Sequence, residues 1–327
     1  MTPVRHPDRA QERAFLQAVV YAGLFEYPLT PAQLRETLIG ARAGDEDVVA
    51  WYRASERLQE AVEYGGGYFF PRGRRDLIVQ RARREEVSRR LLDEFSRPLA
   101  LVARMPFVRM VALSGSLAHL NAEADADLDL FVVTSARRVW TVALATVLLT
   151  RLLGWRRRLC LNYIVSERAM WVAPADLFSA NQIVHLQPVT GEPVYRRFLE
   201  TNRFVARFYP NFSPRPLARF GRNIESAVRG GGDGVPPAAR AAEAMRRLVE
   251  RVLNWTVAPL AEPVCRWSYR AYLLRRAHTW TSRDQVRLEP ECLKLHTSSH
   301  RREVMERFER ALAETMTVSD DAARAAS

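Results

Sequence analysis

The segment VALSGSLAHLNAEADADLDLFVV, residues 111–133, constrains this chain most, because it places two carboxylates at the head of an uninterrupted apolar run. Leu130, Phe131, Val132 and Val133 have the length and character of a buried strand. Side chains two apart on a strand share a face, so Asp127 and Asp129 point the same way. Two carboxylates that lose hydration side by side repel each other and need a cation or strong donors. A divalent ion supplies that compensation. Oxygen ligands of this hardness suit Mg²⁺, which keeps several waters and takes substrate phosphates rather than a full protein cage. A phosphate-bearing partner follows from that preference.

Upstream, Val111, Ala112 and Leu113 lead into Ser114, Gly115 and Ser116. Gly115 removes the Cβ that would block a close approach, and turn N–H groups with the Ser116 hydroxyl are suited to hold phosphate oxygens. The sequence therefore reads hydrophobic-Gly-Ser, a spacer of ten residues, then Asp-hydrophobic-Asp-hydrophobic. In this it resembles the nucleotidyltransferase superfamily that includes DNA polymerase beta, the aminoglycoside nucleotidyltransferases and the minimal nucleotidyltransferases of prokaryotes. The resemblance implies that Gly115 and Ser116 grip the triphosphate of an NTP while Asp127 and Asp129 hold two Mg²⁺ ions. The implied reaction is transfer of a nucleoside monophosphate to an acceptor hydroxyl with release of pyrophosphate, by the clamp logic of two-metal sites.

The family also implies a third carboxylate on a neighbouring strand. The matching strand, 159–165 (LCLNYIV), carries Asn162 at its polar centre. An amide oxygen can ligate a metal, but it brings no charge and is no general base near neutral pH. Three readings stay open: Asn162 is a weak ligand; Asp125, Glu123 or Glu167 replaces the missing acid; or the chain binds nucleotide without turning it over. Arg137 and Arg138, just beyond the carboxylate strand, are candidate cations for the triphosphate. His119 lies between Ser116 and Asp127, which could bring it near the phosphates, although a packing role suits it as well.

A chain of 327 residues, 48% hydrophobic, can build two or three domain cores. The net charge of +12 is carried almost wholly by arginine, since Lys294 is the only lysine. Such a balance fits an anionic partner, whether nucleotide, nucleic acid or acidic membrane surface, without choosing among them. Three scattered cysteines exclude a disulfide framework and make a reducing cytoplasm the expected compartment. The opening MTPVRHPDRAQER has no apolar core, so export is not expected. The most hydrophobic run, 139–155, contains Thr141, Thr146, Thr150 and Arg151 and is short for a membrane span; it reads as a buried helix joining two strands.

At the N-terminal end, 13–21 reads as an amphipathic helix. Thr30 and Pro31 open a second helix that Gly40 can end, and a third covers about 46–61. Residues 62–64, Gly65 to Gly67 and 68–70 form a hairpin pattern. This order resembles a winged helix-turn-helix module, which often binds DNA. The third helix, however, carries Asp45, Glu46, Asp47, Glu56 and Glu60 against Arg53 and Arg57, a poor face for a polyanion. A protein-contact or substrate-positioning role is expected ahead of nucleic-acid contact. Residues 76–104 mix charges at helical spacing and read as a solvated connecting helix.

Further along, a strand is expected over 183–189 and a helix over 193–208. Gly230 to Gly232, Asp233, Gly234, Pro236 and Pro237 form the clearest linker, and 238–253 is strongly helical. Pro259 and Pro263 argue against one straight helix in the segment carrying Trp255, Trp267 and Tyr269. Cys292, His296 and His300, four apart, would line one helix face with zinc-ligand spacing but lack a fourth partner. The expected class is α+β: a winged-helix-like domain with its connecting helix over 1–96, and a small mixed sheet packed on helices over 97–229. A linker over 230–237 and a helical accessory region over 238–327, with a disordered tail after Thr317, complete it.

Overall fold

The computed structural model describes residues 6–156, 158–216, 237–295 and 301–325. Gly230 to Pro236 of the expected linker, and His296 and His300, lie outside the described residues. Helix α1 (Arg9–Gly23) starts where Asp8 accepts the Gln11 N–H at 2.8 Å while the Gln11 side chain accepts the Asp8 N–H at 2.9 Å. Thr30 and Gln33 repeat that box at the head of α2 (Pro31–Glu36), with Pro31 at the first position. The expected third helix is two. Ser55 separates α3 (Asp47–Ala54) from α4 (Glu56–Ala61), because its hydroxyl accepts the Leu58 N–H and donates to Glu12 at 2.6 Å.

Strands β1 (Val62–Gly65) and β2 (Tyr68–Pro71) pair antiparallel around Gly66 and Gly67, both in the left-handed region. A bridge from Leu29 to Phe69 ties the hairpin to the helices over a core of Phe15, Leu16, Leu34, Trp51 and Phe69. The connecting segment also divides, into α5 (Asp76–Glu94) and α6 (Ser96–Arg104), with Phe95 buried at the joint. Its charged surface is not wholly solvated. Arg81 and Arg84 are buried: Arg81 donates to the Pro28 carbonyl and lies 4.1 Å over the Tyr27 ring and 4.8 Å over the Tyr68 ring.

The central sheet holds six strands in the order β6-β3-β4-β5-β8-β7. These are β3 (Val108–Leu113), β4 (Leu128–Thr134), β5 (Leu159–Ser166), β6 (Gln187–Thr190), β7 (Val286–Glu289) and β8 (Cys292–Leu295). Only β4 and β5 run parallel. That pairing requires a crossover, supplied by helix α8 (Val139–Leu152) after the short α7 (Gly115–Ala118). Alternating strand residues feed two cores. Val111, Leu130 and Val132 pack with α6 and α8 on one face, while Met110, Phe131 and Tyr163 pack with α9 (Leu177–Val184) and α10 (Glu192–Thr201) on the other.

Several expectations are corrected. Ile183 and Val184 belong to α9, leaving a shorter strand, and the helix expected over 193–208 ends at α10 before resuming as α11 (Val205–Phe208). The region after the linker is not purely helical. Helices α12 (Pro237–Trp255) and α13 (Ala258–Arg275) precede the β7–β8 hairpin, which joins the sheet beside β5. Cys292 is thus a buried strand residue opposite Val165, and no helix face carries it. The chain breaks between Trp255 and Ala258, yet α13 passes through Pro263, which near the helix start costs one backbone bond. The terminal α14 (Arg301–Ala325) continues through the alanine-rich tail, alanine being the best helix former. Among the described residues no helix is long and apolar enough to cross a membrane.

Two inward carboxylates fasten α12 and α13 to the sheet. Glu250 of α12 accepts the Phe107 N–H at 2.7 Å and two guanidinium bonds from Arg109, both at 2.9 Å. Glu262 of α13 sits at the N-terminus of α8, accepting the Trp140 N–H at 2.9 Å, the Thr141 N–H at 2.8 Å and the Thr141 hydroxyl at 2.6 Å. It satisfies helix-end donors that no neighbouring side chain caps. Removing it should leave three donors unmet in a buried place. Glu262→Ala is therefore expected to lower the unfolding free energy by about 2–3 kcal/mol, read from the urea midpoint at constant slope.

Candidate functional site

Strand β3 ends in a turn that folds back over β4. The Ser114 N–H donates to the Asp129 carbonyl at 2.9 Å, and Gly115 follows at φ 66°. A Cβ on Gly115 would stand 2.3 Å from the Asp129 Oδ2, so the turn requires glycine for space as well as for conformation. On the other side of β4, the parallel strand β5 aligns Cys160 with Asp129 and Leu161 with Leu130, then skips a residue so that Tyr163 meets Phe131. The skipped residue is Asn162. This bulge leaves the Asn162 amide free of the ladder, and its Nδ2 donates to the Asp129 Oδ1.

The structure thus brings together Gly115, Ser116, Asp129 and Asn162, all lining one cavity of about 780 Å³. Asp127 lies just before β4 and accepts the Cys160 thiol at 3.6 Å through its Oδ2. Burial pushes the Asp129 carboxyl up to about 6; the Asn162 bond opposes this and the Asp127 charge adds to it. Burial, then Asp129 and Asp127, push the Cys160 thiol up to about 12, so the sulfur is a neutral neighbour and no thiolate. Sequence reasoning passed over Cys160, whose only signal was its place two residues before Asn162 on the partner strand.

The candidate replacement acids do not converge here. Glu123 is held by Arg83 at 3.0 Å and Arg84 at 2.7 Å, Glu167 by Arg197 at 3.6 Å at the far end of β5, and Asp125 is exposed in the loop before β4. Among the described residues no group of three His, Cys, Asp or Glu is poised to hold a metal ion. Two carboxylates and an amide oxygen nevertheless fit Mg²⁺, which takes most of its shell from water and phosphate.

Arg137 and Arg138 are not brought to this place. They follow the far end of β4, about 17 Å along the strand from Asp129 at ordinary strand rise. There the Arg137 N–H donates to Glu291 at 3.1 Å, and Arg138 donates to Asn254 at 2.7 Å and lies 5.1 Å from the Phe107 ring centre. A strand spans the sheet, so neighbours in sequence at its two ends serve opposite edges. A second cavity, of about 280 Å³, reaches Cys160 and Asn162 from the α8 and α13 side and carries Arg156 and Arg276.

The large cavity is mostly apolar. Its wall opposite the sheet is the N-terminal module, through Tyr21, Phe25 and Tyr27, with Phe178 from α9 beside them. Arg84 reaches it too, paired to Glu26 at 2.8 Å. His119 also lines it, stacked edge-on to His185 at 4.8 Å. Burial holds both imidazoles below their usual range, His185 at about 4 and His119 well below the ordinary value, with nearby Arg215 acting the same way on each. His119 is a neutral packing residue at neutral pH and carries no charge to a phosphate. Comparison with family models, curated proteins and solved structures finds no match to this chain.

Two outcomes follow for the folded protein. Gly115→Ala forces a Cβ into the Asp129 carboxylate at a left-handed φ, and should lower the unfolding free energy by about 2 kcal/mol or more in chemical denaturation. Asp129 binds its proton more tightly folded than unfolded, so its ionisation weakens the fold as pH rises from the ordinary 3.8 toward 6. Without Mg²⁺, Asp129→Asn should therefore raise stability by about 2 kcal/mol at neutral pH and change it little near pH 4. A destabilised variant at neutral pH would contradict the buried, uncompensated carboxylate.

Proposed function

We propose that this chain is a cytoplasmic, Mg²⁺-dependent nucleotidyltransferase that moves a nucleoside monophosphate from an NTP to an acceptor hydroxyl and releases pyrophosphate. The observation that carries the reading is the Asp129 carboxylate clasped between the Gly115 turn and the Asn162 amide, at the wall of a large cavity. Asp127, Asp129 and the Asn162 amide oxygen are the groups that would hold Mg²⁺, two ions being expected with phosphate and water completing their shells. Bound there, Mg²⁺ supplies countercharge to phosphoryl oxygens and to the attacking and leaving oxygens. The chain's own part is positioning. Turn N–H groups and Ser116 hold the triphosphate, with Arg156 and Arg276 taking the role first expected of Arg137 and Arg138. The apolar wall of Tyr21, Phe25, Tyr27 and Phe178 excludes water and favours an acceptor with an apolar body.

The N-terminal module reads as winged-helix-like in its order of helices, hairpin and extra bridge, and its role follows from what it touches. Tyr21 and Phe25 wall the cavity, and α4 is packed against α14. A helix so covered is not available to a major groove, which favours substrate positioning over DNA contact.

A second reading is a nucleotide-binding regulator with little or no turnover, favoured by one observation: the third position offers an amide that is already bonded to Asp129. One experiment separates the two. The protein is incubated with each labelled NTP, Mg²⁺ and a cell extract, and labelled products are identified, in parallel with Asp127→Asn and Asn162→Asp. The transferase reading expects a labelled product that Asp127→Asn lowers at least about a hundredfold, the scale of losing a group that stabilises a transition state. Label that persists with Asp127→Asn removes the proposed site. Mg²⁺-dependent NTP binding with no product, and turnover appearing only in Asn162→Asp, establishes the regulator.

A further inference from the structure

Helix α12 is mounted with its apolar side outward, and α13 adds a second exposed apolar stripe. In α12 the side facing the sheet is polar: Glu250 meets Arg109 and the Phe107 N–H, and Arg246 donates to the Val108 carbonyl at 3.2 Å and to Glu250 at 2.8 Å. The opposite side carries Met245, Leu248, Val249, Val252 and Trp255, spaced three and four apart, and all are exposed. An ordinary surface helix has the reverse arrangement. Helix α13 is apolar on both sides. Glu262, Tyr269 and Leu273 face inward, whereas Leu260, Val264, Trp267 and Leu274 recur at the same spacing on the solvent side. Trp255 is 88% exposed, Trp267 76% and Leu260 75%, values that isolated surface apolars rarely share along two consecutive helices.

The charges on this unit are as one-sided as its apolar residues. Residues 237–276 contain eight arginines and three acids, and each acid is already engaged. Glu243 pairs with Arg246 and Arg247, Glu250 with Arg109 and Arg246, and Glu262 caps α8. Arg251, Arg270 and Arg275 are exposed on the turns that also carry the apolar stripes. The outward side therefore combines aliphatic residues, two indoles and guanidinium groups, with no carboxylate free to oppose an anion.

We propose that the outer side of α12 and α13 is a peripheral docking surface for an anionic lipid bilayer. Indoles settle at the boundary between headgroups and acyl chains, arginine stems lie along apolar surface while their heads reach phosphates, and aliphatic stripes enter the first part of the hydrocarbon. A second copy of the chain fits this surface poorly, because two equally basic faces would meet. An acidic protein partner matches the charge but gives no particular use to two indoles held in the open. The proposal is independent of the catalytic reading, since the outward stripes include no residue assigned to that reading; Arg276, which that reading uses, follows the end of α13 and lies on neither stripe. Where that reading also holds, an acceptor with an apolar body would be met at the membrane.

The test uses the full chain in sedimentation with phosphatidylcholine vesicles, with and without phosphatidylglycerol, while light scattering records the oligomeric state without lipid. Pelleting with phosphatidylglycerol vesicles is expected, weakened by salt and much lower with phosphatidylcholine alone. The double variant Trp255→Ser/Trp267→Ser should cut the bound fraction at least about tenfold, and Arg251→Glu/Arg270→Glu should remove the preference for anionic vesicles. All four side chains are exposed, so circular dichroism should match the parent and separate lost binding from lost folding. Absence of pelleting with anionic vesicles overturns the proposal, as does undiminished pelleting of the tryptophan variant. A lipid-free dimer that the same variant turns into monomer assigns the surface to a second copy instead.

Discussion

The close approach of the Gly115 turn to the Asp129 carboxylate is the contact on which the centre of this molecule depends. Nothing larger than hydrogen fits on that α-carbon, and the Ser114 N–H is fastened to the Asp129 carbonyl, so β3 and β4 are locked in register at their shared end. The same carboxylate is held from the other side by the Asn162 amide. That contact exists only because β5 gains one residue on β4 at that point. Burial and like charge would ordinarily drive such a group out of a core. Here burial raises its pKa to about 6, and the Asn162 bond opposes the rise.

The surroundings are built to keep that end of the sheet in place. The single parallel pair forces the crossover helix α8, and α8 depends on Glu262, from a helix more than a hundred residues later in the chain, to satisfy its N-terminus. Glu250 does the same for the start of β3. The β7–β8 hairpin then covers the edge of β5 that would otherwise be open. The C-terminal region is accordingly part of the sheet and its supports. This arrangement also turns the polar side of α12 inward, because its carboxylate is used as an anchor, and leaves apolar stripes of both helices outside.

Local signals were read correctly where they are self-contained. The capping boxes at Asp8 and Thr30, the glycine turn at 65–67, the apolar β4 and the buried helix 139–152 each follow from a few adjacent residues. The neighbouring strand and its Asn162 were expected from the resemblance to the nucleotidyltransferase pattern, and β5 does lie beside β4 with Asn162 bonded to Asp129. Readings failed where a distant group intervened. Ser55 divides a helix by bonding to Glu12, and Arg81 leaves its solvated pattern to lie between Tyr27 and Tyr68. Arg137 and Arg138 were misplaced because nearness in sequence was taken for nearness in space along an extended strand.

By itself the sequence determined the carboxylate strand, the glycine turn before it and the helical frame on either side. Each of these is a property of residues a few positions apart, and backbone geometry converts such spacing directly into a shared face or a turn. Only the tertiary structure decided that Asn162 and Cys160 lie against the carboxylates, that the N-terminal module walls the cavity, and that the C-terminal hairpin completes the sheet. Those facts depend on which segments come together across long loops. Burial and charge pairing settle that choice for the whole chain at once, and no short stretch of sequence encodes it.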